Sequence, residues 1–267
     1  MKRGRLLLVA QVAGTAGMLA FWVWAMATQP AYGGKPFGVD ANPYWSTSLD
    51  SPYTGAAAGL PGAYLYSPAF LQGLTPLRLL PWEAFIGLWL ALELAALAWL
   101  LTPLGALAFL AFPPITSEVL IGNIHTFLAV ALVLSITRPW TWTLGVLSKP
   151  TLAVGMGWYI GRREWRQLAI AVGAGAAVAL VSFAVAPGLW FDWIERVRGA
   201  ESRGGAAWTI FLVVRLVLAG ALSVYAGWRR RPAFLPVAMY LALPIPWLEG
   251  LTMLAAVPRL LRWRPIR

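Results

Sequence analysis

Long apolar runs separated by short polar segments dominate this chain of 267 residues. The run at 6–28 has about 23 residues, enough to cross about 30 Å of hydrocarbon as a helix. Because it lacks a convincing small-residue cleavage site, it predicts a retained first span rather than a signal peptide. The pattern predicts an all-α, multi-pass membrane protein with one helical domain over residues 1–267. Further apolar runs lie at Trp82–Leu101, 119–137, 167–186 and 207–227.

Basic residues fall in clusters between these runs and predict the topology. Cytoplasmic loops of membrane proteins carry an excess of Lys and Arg. If every cluster is cytoplasmic, both termini are cytoplasmic and the loops 29–80 and 188–206 are extracytoplasmic. The chain then crosses an even number of times between consecutive clusters. The clusters are Lys2, Arg3 and Arg5; Arg138; Arg162, Arg163 and Arg166; Arg229, Arg230 and Arg231; and Arg259, Arg262, Arg264 and Arg267.

The segment between Arg138 and Arg162 is too short for two spans. Even crossing therefore predicts a re-entrant hairpin with arms at 140–148 and 151–161, each roughly 15 Å long as a helix. Its tip is Lys149-Pro150. A second hairpin is predicted with arms at 234–243 and 248–257.

In this interpretation, the short run 104–112 climbs only partway into the membrane before 119–137 descends. The alternative treats 140–161 as one ordinary span with Lys149 in its middle. In that case the run 104–112 does not cross.

Composition supports the membrane class and restricts the chemistry. Apolar residues make up 60% of the chain and charged residues 12%, so the chain cannot fold as one water-soluble domain. The net charge of +11 lies at the ends of apolar runs, which indicates membrane lipids rather than nucleic acid as partners. The absence of cysteine excludes disulfides and thiolate metal sites, and a single histidine argues against a transition-metal site. We predict no cofactor and no metal-binding residues, and a divalent metal requirement stays an open alternative that the sequence does not indicate.

The first loop carries the most distinctive polar residues. Asp40 and Asp50 lie near an apolar boundary, where burial would shift the pKa of a carboxyl group. A carboxylate placed in this way can act as a general base. The alternative is that both are ordinary solvated loop residues. Residues 70–80 have leucines at helical spacing and predict an amphipathic interface helix that carries Arg78. The loop also contains Tyr44, Tyr53, Tyr64 and Tyr66, each with an apolar face and a polar tip.

Two polar features interrupt the later apolar runs. Gly122-Asn123-Ile124-His125 lies beside Glu118, and its polar side chains either bind a substrate hydroxyl or phosphate or serve as an interfacial cap. Lys149 lies inside an apolar segment, where an ammonium usually faces a cavity or an anion. The alternative for Lys149 is that it extends to the outer interface.

The order of these motifs resembles glycosyltransferase family 87. That resemblance implies a GT-C membrane fold, with re-entrant half-helices and a structured first extracytoplasmic loop. It also implies mannosyl transfer, or transfer of a related pentose or hexose, from a polyprenyl-phosphate donor at the plasma membrane. The acceptor would be an extracytoplasmic glycan or glycolipid. The matching motifs are Asp40-x-x-x-Tyr44, Ser51-Pro52-Tyr53, Tyr64-x-Tyr66-x-Pro68, Trp89, 122–125, Gly145, Lys149-Pro150 and 246–249.

The resemblance also assigns roles to individual residues. Asp40 matches the family's catalytic base, with Asp50 as the substitute, and a single displacement would invert the anomeric centre. Lys149, helped by Arg78, would bind the donor phosphate. The family's Gly-Gln-x-Asn helix start appears as 122–125, so two polar residues differ. The expected substrate-binding residues are Tyr44, Tyr53, Tyr64, Tyr66, Asn123 and His125.

Two other functions remain open at this level. Half-helices around a central lysine also describe carriers, such as a lipid-linked-sugar flippase. A non-catalytic partner in a cell-envelope assembly is the third interpretation. The long, carboxylate-bearing first loop and the lack of a visible inverted repeat argue against a carrier.

Overall fold

A computed structural model describes residues 38–56, 62–102 and 112–263, together with scattered helical positions between residues 4 and 23. The side chains of residues 200–208 are not described. The predicted first span at 6–28 and the run at 104–112 lie largely outside the described residues, as do parts of the first loop.

Between residues 38 and 263, the described ranges are helical and contain no strand, which confirms the all-α class. Four 3-10 helices lie at Pro139–Thr141, Pro150–Met156, Pro232–Phe234 and Leu248–Ala256. The α-helices are α1 (Ala41–Ser46), α2 (Pro68–Arg78), α3 (Trp82–Leu101), α4 (Pro113–Ile121), α5 (His125–Ser135), α6 (Trp142–Ser148), α7 (Gly157–Arg162), α8 (Trp165–Val185), α9 (Pro187–Trp228), α10 (Leu235–Ala242) and α11 (Val257–Leu261).

Three helical stretches in the described ranges are long and apolar enough to cross a membrane. They are α3, α8 and the second part of α9, Thr209–Trp228. A fourth candidate is the pair α4 and α5, whose axes are bent by 112° at a short break. These stretches match three of the predicted spans and support a multi-pass membrane protein.

The bend between α4 and α5 divides the predicted span at 119–137 into two helices. Helix α4 ends at Ile121 because Gly122 adopts the left-handed conformation, with φ of 68°, which favours glycine and commonly terminates helices. Helix α5 begins only at His125. Residues 122–124 therefore form a non-helical break between two short helices.

The predicted loop at 188–206 is also different, because it is helical. It forms the first part of α9, which runs for 42 residues from Pro187 to Trp228. Proline is well tolerated in the first turn of a helix, and no further proline occurs between Pro187 and Pro232. The mixed charges that suggested a solvated loop therefore lie on a continuous helix.

One sequence of elements occurs twice. A 3-10 turn, a short α-helix, a longer 3-10 helix and a second short α-helix follow Arg138-Pro139 and again follow Arg231-Pro232. The α-helical path breaks at Lys149 in the first unit and at 243–247 in the second. Both breaks fall where hairpin tips are predicted. The re-entrant course of these arms in the membrane stays a prediction.

Arg215 stabilises the break in the second unit. It lies in the apolar part of α9 and is 5% exposed. Its Nη1 donates to the carbonyl oxygen of Leu243 at 2.9 Å, and its Nη2 donates to that of Pro244 at 3.0 Å. Carbonyl groups at the end of a helix have no partner within the helix, so this arginine supplies the missing donors.

Helices α7 and α9 pack with almost no space between their backbones. A Cβ added at Gly161 would overlap the carbonyl oxygen of Val224, and one added at Gly227 would overlap that of Trp158. By contrast, a Cβ at Gly220 on α9 meets open space.

We therefore expect Gly161→Ala or Gly227→Ala to destabilise the fold by about 2 kcal/mol or more, because backbone atoms cannot move aside as a flexible side chain can. Gly220→Ala is the matched control, and we expect it to be neutral or to stabilise α9 by up to about 1 kcal/mol. Unfolding of the detergent-solubilised variants measures both effects. Equal stability of all three variants would contradict the packing.

Candidate active site

The segment at 38–40 places Asp40 against the end of α4. The backbone N–H of Gly38 donates to Leu120 O at 3.0 Å, and that of Asp40 donates to Ile121 O at 2.9 Å. The last carbonyls of a helix lack intrahelical partners, so the loop supplies donors that α4 needs. The position of Asp40 therefore follows from capping this helix.

Two glycines permit the close approach of this segment. Gly38 and Gly122 have φ of 88° and 68°, which side chains rarely allow. A Cβ on Gly122 would lie 2.8 Å from Ala41 Cβ, and one on Gly38 would overlap the side chain of Ile86. Glycine at both positions lets the first loop contact the break between α4 and α5.

Asn123 connects Asp40 to this break. Its Nδ2 donates to Asp40 Oδ2 at 2.6 Å, and its Oδ1 accepts from the N–H of Ile124 at 2.7 Å. The hydroxyl of Tyr44 also donates to Asn123 Oδ1, at 3.5 Å. Asn123 is 9% exposed, so its amide mainly orients Asp40 and the entry to α5.

Lys149 reaches the same break through His125. Lys149 Nζ lies 2.8 Å from His125 Nε2, and His125 Nδ1 lies 2.9 Å from Glu118 Oε2. The other oxygen of Glu118 accepts from the N–H of Thr126 at 3.2 Å. His125 is 2% exposed and Glu118 is fully buried. Asp40 and Lys149 are thus held by residues two positions apart.

The helix break before Pro150 explains the position of Lys149. A residue before proline is disfavoured in the helical region, and Lys149 adopts φ of −138° and ψ of 90°. Helix α6 therefore ends at Ser148. Ser67 at the start of α2 caps this end, since its Oγ donates to Leu147 O at 2.5 Å and accepts from Phe70 N at 3.3 Å.

The four tyrosines of the first loop pack mainly against one another. Tyr44 and Tyr66 share a hydrogen bond of 2.7 Å between their hydroxyls, and Tyr53 donates to Tyr66 O at 2.9 Å. Tyr44, Tyr53 and Tyr64 are buried, whereas Tyr66 is partly exposed. The ring of Tyr66 also lies below the Lys149 ammonium, with Nζ 5.9 Å from the ring centroid. Tyr66 is therefore the tyrosine that contacts the charged groups.

Two predicted site residues lie elsewhere. Arg78 donates to Trp45 O at 3.1 Å and to Thr47 O, so it caps the end of α1. Asp50 is exposed, and its backbone N–H donates to Ser48 Oγ at 3.2 Å. The structure brings together Asp40, Asn123, His125 and Lys149, with Tyr44 and Tyr66 beside them.

Burial raises the pKa of the Asp40 carboxyl above its ordinary value. The hydrogen bond from Asn123 and the positive charge of Lys149 act in the opposite direction, while Glu118 and Glu249 raise the pKa further. A carboxylate with a raised pKa is a stronger proton acceptor once it is ionised, which suits a general base.

Sequence reasoning missed the importance of Glu118 and Glu249. From the sequence, Glu118 is identified only as a neighbour of the 122–125 motif. The feature that could have identified it is a carboxylate inside an apolar helix, which usually has a functional role. Glu249 lies in the first turn of the 3-10 helix Leu248–Ala256 and accepts from Ser117 Oγ at 3.0 Å. Glu93 on α3 is fully buried, and neither of its oxygens has a hydrogen-bond partner among the described residues.

The described residues contain no group of three or more His, Cys, Asp or Glu side chains arranged to hold a metal ion.

Comparison with known families decides the assignment. The sequence profile of glycosyltransferase family 87 matches residues 64–266, about three quarters of the chain. The chain belongs to glycosyltransferase family 87. This confirms the resemblance inferred from the motif order and supports glycosyltransferase activity in a membrane protein. No curated protein and no solved structure matches the chain.

The family 87 match covers only part of the site. It includes the break at 122–124, Lys149 and Glu249, whereas Asp40 lies before its first residue. Contact between Asp40 and Asn123 therefore links a segment outside the match to the matched helices.

The Asn123 hydrogen bond should be visible in the pH dependence of activity. If Asp40 acts when ionised, activity rises as pH rises through its pKa. Asn123→Ala removes a donor that favours the ionised form, so the rise should move to higher pH by roughly one unit. The measurement is kcat/KM for sugar transfer against pH. Ser46→Ala, which removes an exposed hydrogen bond to Asn42 on α1, is the control and should leave the profile in place.

Proposed function

We propose that this protein is an inverting membrane glycosyltransferase that takes its sugar from a polyprenyl-phosphate donor. The sugar is a mannose or a related hexose or pentose, and the acceptor is an extracytoplasmic glycan or glycolipid. The observation that carries the proposal is the convergence of Asp40 and Lys149 on one helix break, through Asn123 and His125. Family membership favours sugar transfer over the carrier and the non-catalytic alternatives.

Lys149 supplies the charge that a phosphate donor needs. An ammonium is a compact cation with three N–H donors, and His125 occupies one of them. Lys149 is partly exposed, and in this proposal its remaining donors bind phosphate oxygens. Tyr66 lies beside it and offers an aromatic face to the adjoining sugar.

Asp40 supplies the base. Its carboxylate takes the proton of the acceptor hydroxyl as that oxygen forms a bond to the anomeric carbon. The bond between the anomeric carbon and the phosphate oxygen breaks, and polyprenyl phosphate leaves with its charge balanced by Lys149. One displacement inverts the anomeric centre, so a β-linked donor gives an α-linked product.

Asp40→Asn tests the base. We expect sugar transfer from a radiolabelled polyprenyl-phosphate sugar to fall by about 10³-fold or more, because general-base catalysis typically contributes 10²- to 10⁴-fold. Donor binding should be retained, since Lys149 and Tyr66 are unchanged.

Asp50→Asn is the matched control, because Asp50 is an exposed carboxylate of the same loop. It should transfer sugar at the wild-type rate. Normal turnover by Asp40→Asn would remove Asp40 from the mechanism.

A groove with a volume of about 350 Å³ lies between α2 and α8. It is lined by Ala69, Gly73, Ala177, Val178 and Val181, together with the polar Gln72 and Ser182. Most of α8 is exposed, as expected for a helix facing lipid. Ala69 follows Tyr66 by three residues in the sequence, and the ring centroid of Tyr66 lies 5.9 Å from Lys149 Nζ. We expect the isoprenoid chain to lie in this groove.

Filling the groove should weaken use of long-chain donors. A side chain at Gly73 meets open space, so Gly73→Leu should occupy the groove without disturbing α2. We expect KM to rise about tenfold for a long-chain donor and little for a short-chain analogue. Gly173→Leu is the control, because Gly173 is an exposed residue of α8 outside the groove with open space around it. Equal changes in KM for the long-chain and short-chain donors would show that the isoprenoid chain binds outside this groove.

A further inference from the structure

We propose that Glu118 is a positioning residue that fixes the tautomer of His125 and thereby aims the Lys149 ammonium at the donor phosphate. The three side chains form one hydrogen-bonded series, Glu118 to His125 at 2.9 Å and His125 to Lys149 at 2.8 Å. The effect of Glu118 on the donor rests on the proposed function, whereas the tautomer of His125 is independent of it.

Hydrogen-bond chemistry assigns the proton in this series. An ammonium only donates, so His125 Nε2 must accept from Lys149 and cannot carry a proton. An ionised carboxylate only accepts, so His125 Nδ1 must carry the proton that it donates to Glu118 Oε2. The arrangement is consistent only for a neutral imidazole protonated at Nδ1, a state set by the partner of the second nitrogen.

The carboxylate of Glu118 is itself held in place. Its Oε2 accepts from His125, and its Oε1 accepts from the N–H of Thr126 in the first turn of α5. A helix N-terminus carries partial positive charge and unpaired N–H groups, which stabilise a carboxylate there. Glu118 lies one turn before the break at 122–124, so one side chain bridges α4 and α5 across their bend.

This bridge directs the cation. Without an acceptor at Nε2, the long side chain of Lys149 would be free to sample other rotamers. With it, one N–H points at His125 while the ammonium remains over the ring of Tyr66. A cation already aligned for the phosphate loses less conformational freedom on binding the donor. Glu118 therefore acts on the donor through two intermediates and touches no substrate.

The tautomer is measurable because His125 is the only histidine in the chain. Protein labelled with ¹⁵N-histidine gives a single imidazole, and couplings between its ring protons and nitrogens identify the protonated nitrogen. We expect a protonated Nδ1 and an unprotonated Nε2 in the detergent-solubilised wild-type protein. A protonated Nε2 would overturn the proposal without reference to any activity.

Two variants separate Glu118 from Lys149 as the determinant. Lys149→Met leaves Glu118 to hold the ring without the ammonium, and we expect the Nδ1–H tautomer to persist. The double variant Glu118→Met/Lys149→Met removes both partners, and the tautomer should lose its dominance. Loss of the tautomer in Lys149→Met, or its persistence in the double variant, would overturn the proposal. If the double variant does not fold, Glu118→Gln/Lys149→Met keeps an amide oxygen to accept from Nδ1 and should retain the Nδ1–H state.

Kinetics test the consequence for the donor. We expect Glu118→Met to raise KM for the polyprenyl-phosphate sugar by about tenfold, while KM for the acceptor changes less than about twofold. Glu118→Gln should recover most of the donor KM. Glu83→Gln, an exposed carboxylate on α3, is the control and should match the wild type. Equal losses for donor and acceptor would indicate a general structural role and overturn the positioning role.

The two proposals fail differently. A wild-type protein with the expected tautomer but no sugar transfer would refute the proposed function and leave the Glu118 bridge intact. An active protein in which the tautomer of His125 does not depend on Glu118 would refute the positioning role of Glu118 and leave the proposed function intact.

Discussion

Backbone N–H and C=O groups at a broken helix end have no partner within the helix, and when they are buried they need one elsewhere in the protein. This chain breaks its helices repeatedly, and its polar residues are placed where those ends need them. The loop at 38–40 caps α4, Ser67 caps α6, and Arg215 supplies donors to the break at 243–247. The candidate site is built from the groups that satisfy these ends.

Structural and chemical roles therefore coincide at the break between α4 and α5. Asn123 accepts from the first backbone N–H after it and orients Asp40 with its other amide atom. Glu118 binds a backbone N–H of α5 with one oxygen and His125 with the other. The same short segment thus holds the carboxylate of Asp40 from the first loop and the ammonium of Lys149 from the distant end of α6.

Sequence periodicity was sufficient for the elements governed by long apolar runs. It predicts α3, α8 and the apolar part of α9, and the motif order identifies the family. It also singles out Asp40, Asn123, His125 and Lys149, since polar groups are costly in apolar surroundings and stand out there.

Features decided by partners remote in sequence were not predictable. Nothing local shows that Arg78 would cap α1, or that three of the four loop tyrosines would be buried against one another. Charge at 188–206 suggested a loop, yet the absence of proline let helix α9 continue. The role of Glu118 depends on a 112° bend that places its side chain beside His125, and only the three-dimensional structure reveals that angle.

Helix α9 joins the membrane to the first loop mechanically. At about 1.5 Å per residue its 42 residues extend about 63 Å, roughly twice the thickness of the hydrocarbon layer. In its first half, Trp193 donates to Leu65 O at 3.0 Å and Arg196 donates to Ala56 O. A bilayer thinner than the apolar half of such a helix tilts it. Because these two contacts tie the first half of α9 to the loop that carries Asp40, a change in the tilt of α9 would move that loop.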